Sequence, residues 1–198
     1  FNTPLRNKKF TVDNSTYVNY YKNIGYTNGE EAKTHNIVLS EKVSGKFKVD
    51  KLETRLELGM TYNITKNNLS NVQDRNTSNY NIQHSVLWKL PYDFSIQNFL
   101  NMTYYGGYGD DFKKKEILWN ASVSKLFLKK KRGTLKVEFY DILNDRNNLS
   151  RYVSSNYMSD SRTNSINRYF MFSFSYKFNI IKSKGKSNDG DIDELEYN

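Results

Sequence analysis

The segment RYFMFSFSYKF, residues 168–178, alternates between aromatic side chains and small, polar or methionine side chains. Residues i, i+2 and i+4 of a β-strand share one face, so this pattern predicts a strand with one aromatic face. That face would promote aggregation in water but suits contact with lipid. It consists of Phe170, Phe172, Phe174, Tyr176 and Phe178. We therefore expect the interleaved polar residues to face the interior of a transmembrane β-barrel.

The same period-two alternation recurs along most of the chain. Leu56 and Leu58, for example, alternate with Arg55 and Glu57. Charged groups would then line the barrel interior while apolar groups meet lipid. The pattern predicts an all-β fold, a transmembrane antiparallel β-barrel with about eight strands present, at roughly 8–26, 34–49, 53–66, 79–90, 94–106, 117–127, 134–157 and 162–178. In the seventh strand we interpret the polar segment 141–148 as a bulge or short excursion at the outer rim.

The connections between the predicted strands alternate in length. Residues 50–52, 91–93 and 128–133 are short connections, whereas 27–33, 67–78 and 107–116 are longer and polar. Outer-membrane barrels have short periplasmic turns and longer extracellular loops. Several strands also exceed the roughly 9–11 residues that cross a bilayer, so we expect them to project above the membrane.

Composition agrees with a barrel and excludes several other classes. Only 37% of the 198 residues are hydrophobic, yet 15% are aromatic, as aromatic girdles around a polar-lined barrel would require. No apolar run reaches the ~18 residues of a spanning helix. The absence of cysteine excludes disulfides, Cys-ligated zinc and thiol nucleophiles. The net charge of +9 is concentrated at predicted turns, so we expect no nucleic-acid partner.

The two ends of the chain differ from its middle. Residues 1–9 lack the basic and then apolar layout of a signal peptide, so either a signal was removed or the chain begins within a longer protein. We assign residues 1–180 to the C-terminal part of a transmembrane barrel. Residues 181–198 form an acidic segment that we expect to be a disordered periplasmic tail.

Several segments resemble a known family. They are LWNASVSKLFLKKKRGTLKVEFYDILNDRNNLSR (118–151), NSINRYFMFSFSYKFN (164–179), PLRNKKFTV (4–12), YTNG (26–29) and LPYDFSI (90–96). Over about residues 4–180 the chain is similar to the outer-membrane β-barrel family common in Bacteroidota, whose members are similar to TonB-dependent receptors. The resemblance implies location in the bacterial outer membrane and a barrel of about twenty-two strands around an N-terminal plug, which imports nutrients.

The resemblance also has implications for partners and assembly. The chain itself contains no plug and about a third of such a barrel's strands, so the partners it implies are the N-terminal barrel and plug portion of the same protein, and surface lipoprotein or other outer-membrane subunits. Residues 168–178 are, by the same resemblance, the segment that assembly machinery would recognise.

Catalysis is the first alternative, because some outer-membrane barrels are hydrolases that place a histidine beside a serine or carboxylate. The two histidines are His35, at a loop edge, and His84, on the predicted lipid face. We interpret both as structural and expect neither an enzyme nor a cofactor. Asp110 and Asp111 lack the alternating carboxylates of a dedicated calcium loop, so no metal is expected.

Two sets of charged residues are candidate binding groups. Lys113, Lys114 and Lys115, in a predicted outer loop, could meet lipopolysaccharide phosphates or could simply promote solubility. Inside the barrel, opposite charges usually pair with each other or with a plug, and a substrate role is the alternative. These interior candidates are Arg55, Glu57, Lys136, Glu138 and Lys177.

Three functions remain open from the sequence. The first is an outer-membrane receptor or transporter in which this chain forms the C-terminal wall of the barrel. The second is a non-transporting scaffold barrel within an outer-membrane complex. The third is a self-contained barrel of about eight strands.

Overall fold

A computed structural model describes residues 2–4, 9–69, 74–153, 158–164 and 166–178. These residues form β-strands and two short 3₁₀ turns, Pro91–Asp93 and Lys129–Lys131. The strands are β1 (Asn2–Pro4), β2 (Phe10–Thr27), β3 (Glu30–Val49), β4 (Leu52–Asn67), β5 (Arg75–Lys89), β6 (Phe94–Gly106), β7 (Lys115–Phe127), β8 (Gly133–Tyr140), β9 (Leu149–Val153), β10 (Met158–Arg162) and β11 (Tyr169–Tyr176). The predicted all-β fold is therefore confirmed.

Nine strands form one antiparallel sheet in the order β1-β2-β3-β4-β5-β6-β7-β8-β11, and β9 pairs with β10 in a separate hairpin. Each strand of the large sheet pairs with its neighbour in sequence, apart from the β9–β10 hairpin inserted before β11. The two end strands, β1 and β11, do not pair with each other, so the described residues form an open sheet.

The register gives the sheet two chemically different faces. Leu58 lies opposite Val43 and Ile82, and at the other end of the sheet Phe172 lies opposite Val137. Because side chains alternate across every strand, these residues share one face, which we call the apolar face. The opposite face carries mainly hydroxyl, amide and charged groups, and we call it the polar face.

The pattern of burial is the reverse of that in the sheet of a soluble protein. On the apolar face, the side chains of Leu58 and Phe172 are 49% and 62% exposed. On the polar face, Ser44 is only 2% exposed, and the other buried strand residues outside glycine lie there too: Ala32, Thr34, Thr65, Thr77 and Ser122. The polar face is therefore the sheltered side, and the apolar face is left for lipid.

The two ends of the sheet differ in their connections. At one end, β3–β4, β5–β6 and β7–β8 are joined by the short connections 50–51, 90–93 and 128–132, and we call this the turn end. At the other end, which we call the loop end, 68–74, 107–114 and 141–168 connect β4–β5, β6–β7 and β8–β11. This confirms the short connections predicted at 50–52, 91–93 and 128–133 and the longer ones predicted at 67–78 and 107–116, whereas the connection 141–168 was not predicted.

The connection between β2 and β3 was predicted wrongly. Residues 27–33 were expected to form a longer polar loop, but β2 and β3 continue to a two-residue turn, Asn28–Gly29. Both turn residues have positive φ, 53° and 85°, as a type I′ hairpin requires. The Asn-Gly dipeptide is the strongest short signal for such a turn, and it outweighs the polarity of its neighbours.

The predicted seventh and eighth strands are also corrected. The segment 141–148 ends β8 and leads to a separate strand, so it is not a bulge or short excursion within one strand extending to residue 157. Asp141 has a φ of 48°, and its buried carboxylate accepts hydrogen bonds from the N–H groups of Asp145 and Arg146. The chain then forms the β9–β10 hairpin, and β11 begins at Tyr169 rather than at 162.

Within the described residues, the structure contains no helix long and apolar enough to cross a membrane. The predicted acidic tail, 181–198, lies outside the described residues.

Candidate functional site

Four of the five charged residues predicted for the barrel interior lie on the polar face, as one pair in β4 and one in β8, and the fifth, Lys177, lies beyond the end of β11. Arg55 and Glu57, both in β4, form an ion pair of 3.2 Å, and Lys136 and Glu138, both in β8, form one of 2.7 Å. Lys177 follows β11 and donates its backbone N–H to Arg132. Since β4 and β8 are four strands apart, the two pairs are separated by about 19 Å. They therefore do not form one site.

The β4 pair belongs to a larger network across β2, β3 and β4. Arg55 Nη2 donates to Ser44 Oγ at 2.9 Å, and Ser44 Oγ donates to Asp13 Oδ2 at 3.4 Å. Lys42 Nζ lies 3.5 Å from Glu57 Oε1. The predicted interior candidates did not include Asp13, Lys42 and Ser44, although opposite charges at matching positions of a hairpin are a usable signal. Mutual pairing supports a mainly structural role for this network.

The loop end carries a second cluster that the sequence did not predict, centred on Arg151 of β9. The Arg151 side chain is 5% exposed. Its guanidinium donates two hydrogen bonds of 2.7 Å to the carboxylate of Asp111 and bonds of 2.6 and 2.7 Å to that of Asp160. It also donates to the carbonyl of Tyr108 at 2.8 Å. Arg151 thereby joins the 107–114 loop to the β9–β10 hairpin.

The Arg151 hydrogen bonds favour the ionised form of both carboxylates. Those bonds, assisted by the Coulomb attraction of the guanidinium, hold the pKa of Asp111 and of Asp160 below the ordinary value of 3.8. Nothing in the sequence indicates a partner for Asp111, which in the structure is half of a bidentate pair with Arg151. Asp110 is paired with Lys114 at 3.0 Å.

Aromatic packing and capping hold the 107–114 loop in place. The rings of Tyr105, Tyr108 and Phe112 are mutually in contact, with centroids 5.1–5.7 Å apart, and Phe112 is buried beneath Arg151. Lys113 binds Asp145 at 2.7 Å, and Asp145 also accepts the N–H of Ile117. These contacts fold the loops into one assembly.

A cleft of about 360 Å³ lies between this assembly and the loop-end parts of β2–β5. Tyr108, Arg151 and Tyr152 contribute to it from the loops. The strands contribute polar groups, among them Asn36, Asn63, Thr65, Arg75 and Thr77. Strands β2–β5 have 15–20 residues each, more than the roughly 9–11 that cross a bilayer, so we expect the cleft at their loop end to lie beyond the hydrocarbon region.

The three lysines predicted to contact lipopolysaccharide are not one cluster. Lys113 and Lys114 pair with Asp145 and Asp110. Lys115 begins β7 on the apolar face, and its Nζ lies 5.6 Å from the centre of the Tyr104 ring.

The two histidines both make cross-strand hydrogen bonds. His84 lies on the apolar face, and its Nε2 is 3.0 Å from Thr54 Oγ1. His35 Nδ1 is 2.7 Å from the hydroxyl of Tyr20. The aromatic residues Phe170, Phe172, Phe174 and Tyr176 lie on the apolar face of β11, and Phe178 follows the strand, 83% exposed.

A sequential antiparallel sheet with an exposed apolar face, a sheltered polar face and folded loops at one end is the wall of a transmembrane β-barrel. Comparison with known families agrees. A model of the outer membrane protein beta-barrel family matches residues 3–176, and the chain belongs to that family. It is therefore a protein of the bacterial outer membrane. No curated protein and no solved structure matches the chain significantly.

Proposed function

We propose that the protein is an outer-membrane receptor or transporter of the TonB-dependent type, and that this sheet is the C-terminal wall of a barrel of about twenty-two strands. The observation that carries the proposal is an open sheet with solvated charges on its polar face. The Lys42 side chain, for example, is 52% exposed there. A small closed barrel fills its interior with packed side chains, whereas a large one leaves room for a plug and water.

The cleft at the loop end supports the receptor part of the proposal. Ligands of outer-membrane receptors arrive from outside, and the cleft combines the polar face with loops on that side. Under this proposal the N-terminal barrel and plug are in the same protein, and the apolar face contacts lipid. Lipopolysaccharide is a proposed neighbour of Lys115, and surface lipoproteins are proposed partners at the loops.

The alternative is a scaffold barrel that does not transport. The network of paired charges on β2–β4 favours it, because those groups already satisfy one another. The two functions differ in one visible feature, since energy-coupled import requires a plug inside the barrel.

Cryo-electron microscopy of the intact native protein in lipid nanodiscs tests the proposal. We expect about twenty-two strands around a plug, and lipid density beside Lys115. A barrel that closes at about eight strands, or a large barrel without a plug, would overturn it. In the latter case the scaffold function would replace it.

A further inference from the structure

The cleft at the loop end has an unusual charge composition. Two arginines line it, Arg75 and Arg151, and among the described residues no aspartate or glutamate does. A polar cavity lined by a cation that is part of no ion pair, and by no acid, attracts anions, and low-dielectric walls strengthen that attraction.

The two arginines differ in their ion pairing. Arg151 is saturated by the carboxylates of Asp111 and Asp160, so its charge is offset. Arg75, the first residue of β5, is part of no ion pair found in the described chain. Its Nε is buried there without any hydrogen-bond partner. A guanidinium with an orphaned donor and no ion pair is under-satisfied, which favours an anionic partner at the part of the Arg75 side chain that lines the cleft.

The groups around Arg75 indicate the rest of the ligand. Thr65 lies directly opposite Arg75, and Thr77 is two residues further along the same face. Thr65 donates to the side-chain oxygen of Asn36, and Asn63 donates to Thr77, both at 3.1 Å. These bonds use only part of the capacity of each amide, which has both a donor and an acceptor group. Amides beside hydroxyl groups are suited to binding the hydroxyl groups of a ligand.

We propose that this cleft binds a small anion bearing several hydroxyl groups, with Arg75 holding its carboxylate or phosphate group. The planar guanidinium matches either group through paired hydrogen bonds. A volume of about 360 Å³ is at the low end for ligand pockets and suits one sugar-sized molecule. The inference rests on the proposed receptor function, since it names the ligand class that the receptor would admit.

Calorimetric titration of the intact protein in detergent tests the inference. The probes are glucuronate, glucose 6-phosphate and glucose, at matched ionic strength. We expect one of the anionic sugars to bind with a dissociation constant below about 1 mM, and glucose to bind at least about tenfold more weakly. Glucuronate and glucose 6-phosphate distinguish a carboxylate from a phosphate ligand.

Variants at Arg75 separate recognition from folding. Arg75→Gln is expected to weaken binding of the anionic sugar at least about tenfold, and Arg75→Lys to weaken it less, because charge is kept without the planar fork. Lys48→Gln, on the polar face at the turn end, is the matched control and is expected to leave affinity unchanged. Each variant is first checked for native heat-resistant migration on gels.

Two results would overturn the inference: no binding of either anionic sugar to the wild-type protein, or equal binding by the Arg75→Gln variant. Because strand number and plug are counted separately by microscopy, a barrel without a plug would reject the transporter function while leaving the binding result intact.

Discussion

Arg151 shows what one residue contributes at the loop end. Its side chain reaches Asp111, forty positions away, and Asp160 in the neighbouring strand. Nothing in the local sequence pairs these residues, because their proximity depends on how two loops fold together. The alternation of strand residues, in contrast, was readable from the sequence, and it placed Arg55, Glu57, Lys136 and Glu138 on one face as the structure does.

The pH dependence of the loop assembly follows from these carboxylates. The pKa of Asp111 and of Asp160 is lowered by hydrogen bonds from Arg151, so folding of the loops favours the ionised forms. That stabilisation is complete above the ordinary value of 3.8 and is lost as the pH falls through the lower folded values. We expect faster amide hydrogen exchange, corrected for intrinsic rates, in 107–114 at about pH 2.5 than at about pH 7.

A double variant, Asp111→Asn with Asp160→Asn, provides the control for this experiment. It removes both titrating groups, so its corrected exchange should be fast at both pH values. Corrected exchange in the wild-type protein that does not change with acid would show that aromatic packing alone holds the loop.

At the scale of elements, hairpins are set by the turns that join their strands. The long β2–β3 hairpin depends on Asn28–Gly29, and the prediction of a loop there failed because polar composition was given more weight than turn chemistry. The β9–β10 hairpin was missed for another reason. Its short strands alternate weakly, and the buried cap at Asp141 that directs the chain away from β8 is a tertiary contact.

Gly107 is the element-scale position where we expect the largest effect of a single methyl group. It has a φ of 80°, and a Cβ there would overlap the backbone oxygen of Asn76 at the start of β5. Gly107→Ala should therefore displace the 107–114 loop and increase its cleavage by protease. Gly29→Ala is the matched control: it has a similar φ of 85° but no neighbouring atom within 4 Å, so only backbone strain of roughly 1–2 kcal/mol is expected.

Equal protease sensitivity of the two alanine variants would mean that the effect of Gly107→Ala comes from backbone strain alone and not from overlap with β5. Thermal unfolding in detergent serves as a check that both variants keep the sheet.

For the whole molecule, the solvent on each face decides the fold. The apolar face would be intolerable in water, and the polar face contains hydroxyls, amides and paired charges that a soluble core rarely contains. Period-two alternation predicted both faces because lipid and lumen impose opposite preferences on successive residues. The circumference of the barrel, by comparison, depends on the number and the tilt of all its strands. The residues of one wall do not encode these two quantities.

The assignment of the apolar face to lipid can be tested by introducing a charged residue there. Leu58→Arg places a cation on the apolar face near the middle of β4, and we expect it to cost about 2–4 kcal/mol of unfolding free energy in lipid vesicles. Gln83→Arg, on the adjacent strand but the polar face, is the control, because its new cation lies opposite Glu57 and should cost little. Equal costs measured by denaturant titration would contradict the assignment of the faces.

The sequential pairing of strands has a consequence for how such a barrel can vary among relatives. Each pair that starts and ends at the turn end, such as β4 with β5 or β6 with β7, is a module held to its neighbours by ladder hydrogen bonds and cross-strand side-chain contacts. After the loss or duplication of one module, the chain still emerges on the same side of the membrane. A single added strand would instead reverse the direction in which every later strand crosses the membrane. The circumference of the barrel can therefore change in steps of two strands while every remaining module keeps its orientation in the membrane.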